Sequence, residues 1–360
     1  MLMGREGPFC QGTDPETGRN RAFRPPLATP GPALFHLSLN KEPRPGFSGG
    51  GRVPAIRECA WKGVSRPCYS DGMNDASSTT IVWGGMNRAA LDDAYDNGKA
   101  CPDSATRRDG WIARSAQVRT ERPELLDLVY GPRERNRVDV FRCGKTNAPL
   151  FAFIHGGYWQ RNDKNIFACM AEGPLGNGFD VAMIGYTLCP DVTLTELVAE
   201  THAAIRFLRN EGPKRGFGAG KLVVSGWSAG GHLTASALPL DEVDAGLAIS
   251  GIYDVEPCRL NYLNEKLKLT ADEARAMSPI LHLPKGARAR KAPLTVAFGT
   301  GELPELQRQS RDYHQARLDA GLPSALLPLA PHNHFSIMEE LRAPGGKLNA
   351  ALNNIVVALS

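Results

Sequence analysis

Five short apolar runs constrain this 360-residue chain more than any other feature. They are "PLFAFI" (149–154), "DVAMIGY" (180–186), "KLVVSG" (221–226), "AGLAIS" (245–250) and "PLTVAF" (293–298). Each has the length of a strand, and the first is apolar throughout, as a strand buried on both faces must be. Helical patterns lie between them. One is expected around 163–176. Another is "TLTELVAETHAAIRFLRN" (193–210), where Thr193 and Glu196 fit a capping box and Leu194, Leu197, Val198, Ala204, Ile205 and Leu208 form a stripe. "HLTASAL" and "PELQRQSRDYHQARLDAG" (304–321, ended by Gly321) are two more. Upstream, "MNRAALDDAYDN" (86–97) has helical spacing, and 125–130 and 137–141 read as strands joined by the turn "GPRERN". "ALLPL" (325–329) is a last strand marked by proline, with helices following at 335–342 and 346–357. The alternation predicts an α/β fold with a mostly parallel central sheet and helices on both faces. Ligands on such sheets bind beyond the carboxyl ends of the strands, so the informative residues are those just after each run.

The motif G-x-S-x-G, from Gly226 to Gly230, follows the strand "KLVVSG" and precedes a helix. A chain of this composition should hold on the order of 0.2 such pentapeptides by chance, so the context carries the inference. Glycines on both sides of Ser228 let the backbone turn sharply and lift the hydroxyl above the sheet. The N–H of Ala229 then lies at a helix start, where donors are unpaired and an anion is favoured. A serine hydroxyl needs a base to become a nucleophile. His334 in "PHNHFSIMEEL" follows the last predicted strand and is the leading candidate, with His332 as its competitor. His202 and His314 fall within helices, and His232 follows the serine on its own helix. Glu302, in the loop after 293–298, is placed to orient the imidazole; Glu305, Asp312 and Asp254 are the alternatives. The order Ser228, Glu302, His334 is the nucleophile–acid–base order of the α/β-hydrolase fold. Gly156 and Gly157, after the run 149–154, supply backbone N–H groups for an oxyanion hole beside Ala229. Tyr158, Trp159 and Trp227 are candidate walls of a substrate pocket. The long connection 251–283 is a candidate helical cap or lid.

Residues 1–72 differ from this body. They hold 10 Pro and 11 Gly, with a "SGGG" run at 48–51. They read as a disordered segment, or as translation from a start upstream of the true one, with Met73 an alternative start. The hydrolase domain then spans 73–360. The net charge of +4 sits wholly in 1–72, and the remaining 288 residues balance 32 basic against 32 acidic side chains. No basic field for nucleic acid is expected on the body. No apolar run reaches membrane-spanning length, and no signal peptide is evident. The eight cysteines (10, 59, 68, 101, 143, 169, 189, 258) show no metal-binding spacing and read as free thiols in a reducing compartment, the cytoplasm. No metal or organic cofactor is expected. The expected partner is a small-molecule ester or amide, and the sequence leaves the oligomeric state open, a homodimer included.

"HGGYWQRNDK", "GYTLCP", "GWSAGGHL", "SGIYDVEP" and "HFSIMEEL" resemble the kynurenine formamidase (arylformamidase) and carboxylesterase-like branch of the α/β-hydrolases. "PELQRQS", "LDDAYDN", "ARSAQVR" and "LVYG" add to the resemblance, which covers about 82–345. It implies an enzyme that hydrolyses an N-formyl aryl amide or a short-chain ester, with tryptophan breakdown as one setting. It puts Ser228, Glu302 and His334 at the triad positions and Gly156 and Gly157 at the oxyanion positions. Glu302 is a departure, because the formamidases have aspartate there. A binding protein on a hydrolase fold is the alternative, but such proteins usually lose the serine or the histidine, and both are present.

Overall fold

Strand β5 (Leu150–Ile154) is buried along its whole length, and its side chains divide by parity. Leu150, Ala152 and Ile154 enter one apolar cluster, and Phe151 and Phe153 enter another on the opposite face. Period-two alternation between two dry faces explains why the run carries no polar residue. The computed structural model describes residues 80–286 and 291–360, so the expectations for 1–72 and Met73 lie outside the described residues.

A hairpin of β1 (Ile81–Trp83) and β2 (Met86–Asn87) leads into helices α1 (Arg88–Asp93), α2 (Asn97–Ala100) and α3 (Ser104–Glu121). The main sheet begins with β3 (Leu128–Val129) and β4 (Arg137–Phe141), then β5. A 3-10 segment over Lys164–Ala171 and α4 (Glu172–Gly176) precede β6 (Asp180–Ile184). Helix α5 (Leu194–Glu211), β7 (Leu222–Trp227), α6 (Ala229–Ala237) and β8 (Ala245–Ile249) follow. The connection 251–283 contains α7 (Glu256–Arg259), α8 (Asn264–Leu267) and α9 (Ala271–Ala276). The chain closes with β9 (Leu294–Gly299), α10 (Pro304–Asp319), β10 (Ser324–Leu329), α11 (Glu339–Arg342) and α12 (Lys347–Ala358).

The eight-stranded sheet runs β10-β9-β8-β7-β5-β6-β4-β3. Its first six strands are parallel, and β4 and β3 join antiparallel at the far edge. On one face lie α5, α6, α10 and the 251–283 turns; on the other lie α3, the 164–171 segment, α11 and α12. The capping box of α5 is complete, with Thr193 and Glu196 each bonded to the other's backbone N–H.

Two expectations need revision, and one helix has no periodic signal in the sequence. Residues 86–97 are not one helix, because Met86 and Asn87 pair in the hairpin and Asn87 caps a helix of only six residues. The first predicted strand shrinks from 125–130 to two residues. Helix α3 went unread, because among its 18 residues only Trp111, Ser115 and Val118 are buried. It also carries Gly110 in mid-helix.

Gly110 is exposed, and a Cβ there would meet nothing within 4 Å. Gly110→Ala should therefore stabilise the fold by about 0.5–1 kcal/mol through helix propensity. Thermal unfolding should show Tm raised by about 1–4 °C, and a lower Tm would contradict this account of α3.

Candidate active site

Ser228 stands between β7 and α6 with φ 58° and ψ −118°, a left-handed conformation for a residue with a side chain. The turn is possible because the backbones on either side touch. A Cβ on Gly226 would collide with the Gly230 carbonyl, and one on Gly230 with the Ile154 carbonyl at the end of β5. The Ser228 N–H donates to Ile249 O on β8 at 2.8 Å, which fixes the serine backbone to the neighbouring strand.

The loop after β5 lies against this turn. A Cβ on Gly156 would come within 3.0 Å of Ser228 Cβ. The Gly156 carbonyl accepts from Asn162 Nδ2 and from His155 Nδ1, each at 2.9 Å. Because a trans peptide holds its C=O and N–H on opposite sides, pinning that carbonyl also aims the Gly157 N–H. The N–H groups of Gly156, Gly157 and Ala229 find no acceptor among the described residues. They are therefore free to donate to an anionic oxygen. Gly157 has φ 129°, and Tyr158 and Trp159 follow at φ 50° and 58°. Two bulky residues in the left-handed region cost about 1–2 kcal/mol each, so surrounding contacts must hold them. Farther along, Lys164 anchors the loop to the sheet, its Nζ 2.6 Å from Asp127 Oδ1 and 2.7 Å from Asp139 Oδ1.

His334 Nδ1 lies 2.9 Å from Glu302 Oε2, and both residues are buried. A carboxylate can only accept, so Nδ1 carries the proton and the neutral ring presents a bare Nε2. The other carboxylate oxygen accepts from Ser250 Oγ and from the Gly299 N–H, both at 2.6 Å. Backbone bonds from Thr300 to Leu329 O and from Gly301 to His332 O join the acid and base loops. Trp227 donates its indole N–H to His334 O at 2.8 Å, with the two rings 5.0 Å apart.

The competing residues are engaged elsewhere. His332 pairs with Glu340, Glu305 with Arg308, and Asp312 also with Arg308. Asp254 accepts from the Glu256 N–H. His314 meets Ser324, and His232 bonds Trp159 and Met277. The candidate pocket residues Tyr158, Trp159 and Trp227 are all buried. Trp159 is wholly buried, Trp227 packs behind His334, and the Tyr158 hydroxyl is bonded to Asn97 and Tyr95. Tyr158 and Trp159 pack in the loop after β5, and Trp227 packs at the end of β7. Sequence reasoning missed Ser250, Asn162 and the role of His155. Ser250 sits directly after β8, and that position at a carboxyl strand end was the available signal. An open cleft of about 790 Å³, lined in part by Arg122, Arg142, Lys145 and Asp180, lies elsewhere. It is at the amino ends of β5 and β6, the wrong edge for this constellation.

The strand order and the turn at Ser228 make this an α/β-hydrolase fold. The family model BD-FAE matches residues 139–245. The kynurenine formamidase of Danio rerio is 28% identical, over 72% of this chain and 93% of its own. The kynurenine formamidase of Drosophila melanogaster is 30% identical, over 64% and 81%. A solved structure from Silicibacter sp. tm1040 is 31% identical with a TM-score of 0.65, over 73% of this chain and 98% of that one. The esterase Est2 of Thermogutta terrifontis, 21% identical with a TM-score of 0.54 over 66% and 95%, shares the fold. The chain belongs to the kynurenine formamidase and carboxylesterase-like branch of the α/β-hydrolases, and it is a hydrolase. Among the described residues no helix is long and apolar enough to cross a membrane.

Two predictions follow from this geometry. A buried hydroxyl bonded to a charged carboxylate is worth about 1.5–3 kcal/mol, so Ser250→Ala should lower kcat/KM by about tenfold or more. Unchanged turnover would show that Gly299 alone holds Glu302. The second concerns acid. Burial pushes His232 down to about 4 from an ordinary 6.5, and the nearby His202 acts in the same direction. The ring is neutral in both states above pH 6.5. Between 6.5 and about 4 the unfolded chain takes a proton that the folded ring refuses, so stability present above 6.5 is lost as pH falls. Tm should decline over that window, and His232→Asn should flatten the decline relative to wild type. Parallel curves would rule out His232 as a source.

Proposed function

We propose that the chain is a serine hydrolase that works through an acyl-enzyme. The observation carrying this is the 2.9 Å contact of His334 Nδ1 with Glu302, which leaves Nε2 bare, together with Ser228 on its strained turn. His334 takes the Ser228 proton as Oγ attacks the substrate carbonyl. The resulting oxyanion is held by N–H groups of Gly156, Gly157 and Ala229, each worth about 3–4 kcal/mol in the transition state. Protonated His334 gives its proton to the leaving group as the carbonyl re-forms. Water, deprotonated by His334, then attacks the acyl-enzyme and releases the acid and Ser228. Glu302 holds the tautomer and stabilises the imidazolium without taking the proton.

The substrate we propose is an N-formyl aryl amide of the N-formylkynurenine type, giving formate and the aryl amine. The kynurenine formamidases similar to this chain over most of their length support it. A short-chain ester is the second reading. It is favoured by one observation: Tyr158, Trp159 and Trp227 are packed and hydrogen-bonded, so they do not form an aromatic slot.

Purified protein assayed on N-formylkynurenine beside p-nitrophenyl acetate separates the two. The formamidase reading requires the larger kcat/KM on the formamide. Ser228→Ala should reduce either activity to background, a loss of about 10⁴-fold or more. Full activity in that variant would remove Ser228 as the nucleophile.

A further inference from the structure

We propose that His232 is a positioning residue for the oxyanion loop: its ring fixes Trp159, and through it the left-handed turn over Gly157–Trp159, against the helix that begins at Ser228. This rests on the serine-hydrolase reading above.

The turn contains Tyr158 and Trp159 in succession at positive φ, and such a pair persists only where neighbours over-determine it. Tyr158 is held from outside, its hydroxyl donating to Tyr95 O at 2.6 Å and accepting from Asn97 Nδ2 at 2.8 Å. Trp159 is held from inside. Its carbonyl accepts from the Cys189 N–H at 2.8 Å, and its indole N–H donates to His232 Nδ1 at 3.1 Å. The two rings meet edge to face, 5.1 Å apart at 87°.

An indole N–H can only donate, so Nδ1 of His232 is the bare nitrogen and the proton sits on Nε2. That Nε2 lies 2.7 Å from Met277 O, directly after α9. One neutral tautomer thus satisfies both nitrogens, and both side chains are fully buried. A leucine or phenylalanine of similar bulk would leave an indole N–H and a carbonyl unpaired in a dry interior. His232 stands four residues after Ser228 on α6, and its backbone N–H donates to Ser228 O at 3.3 Å. The imidazole therefore spans from the nucleophile's helix to the loop that offers the oxyanion donors, and on to the 251–283 connection. It touches no reacting atom. Its contribution is the distance between Ser228 and the Gly156 and Gly157 N–H groups, where a displacement of 1 Å is worth about 10²-fold in rate.

Three variants test this. His232→Phe fills the space and removes both bonds. His232→Asn keeps an acceptor near the place of Nδ1 and gives up the reach to Met277. Trp159→Phe keeps a ring and removes the indole donor. The expected result is a fall in kcat of about 10–100-fold for His232→Phe and Trp159→Phe, with KM within about threefold of wild type. A boronic acid inhibitor, which forms a tetrahedral adduct on serine, should lose affinity in parallel with kcat. His232→Asn should recover most of kcat, and the double variant should be no worse than the poorer single one. The proposal is overturned if His232→Phe keeps kcat within twofold, if His232→Asn is no better than His232→Phe, or if the losses simply add. Failure of the nucleophile reading looks different. It appears in the wild-type enzyme, as no labelling of Ser228 by a fluorophosphonate, and it overturns both.

Discussion

The active region depends on a contact between two stretches of backbone with no side chain between them. Gly230 sits so near the Ile154 carbonyl that no Cβ fits, and Gly226 stands in the same relation to Gly230. The end of β5 and the start of α6 are therefore closer than any pair of substituted residues allows. That contact sets where Gly156 and Ser228 lie relative to each other. The loop leaving β5 presents Gly156 beside Ser228, and α6 begins at Ala229 directly after it. The loops after β9 and β10, which carry Glu302 and His334, are bonded to each other through Gly301 and His332.

The parts of the fold legible in the sequence were those under the strictest physical demand. Strands β5 to β9 are dry on both faces, so their composition leaves no alternative to a buried sheet. The strand-end rule then singled out Ser228, Glu302 and His334 as candidates, and the structure bonds Glu302 to His334. Helix α3 escaped because a surface helix with three buried residues and a central glycine has almost no periodic signal. Ser250 escaped for a different reason. Its place after β8 marks it only as one of many strand-end residues, and its bond to Glu302 spans 52 positions, which no spacing rule reaches.

The Glu302 carboxylate is held on both of its oxygens. Ser250 and the Gly299 N–H fix one oxygen, leaving the other for His334. A tight turn from Gly299 to Glu302 sets this side chain, with the Glu302 N–H returning to the Gly299 carbonyl. The aromatic residues of the loop after β5 tell the opposite story. They look like recognition elements in the sequence and are spent on packing in the fold, because a strained loop needs anchors more than it needs exposed rings.

Strand β10 is the outermost of the parallel strands, and it contains Pro328. A proline has no N–H to offer along a sheet margin, so this rim makes a poor template for annexation by another polypeptide. The rim also leads directly to His334. The proline therefore stands at the margin of the sheet, six residues before the imidazole of His334.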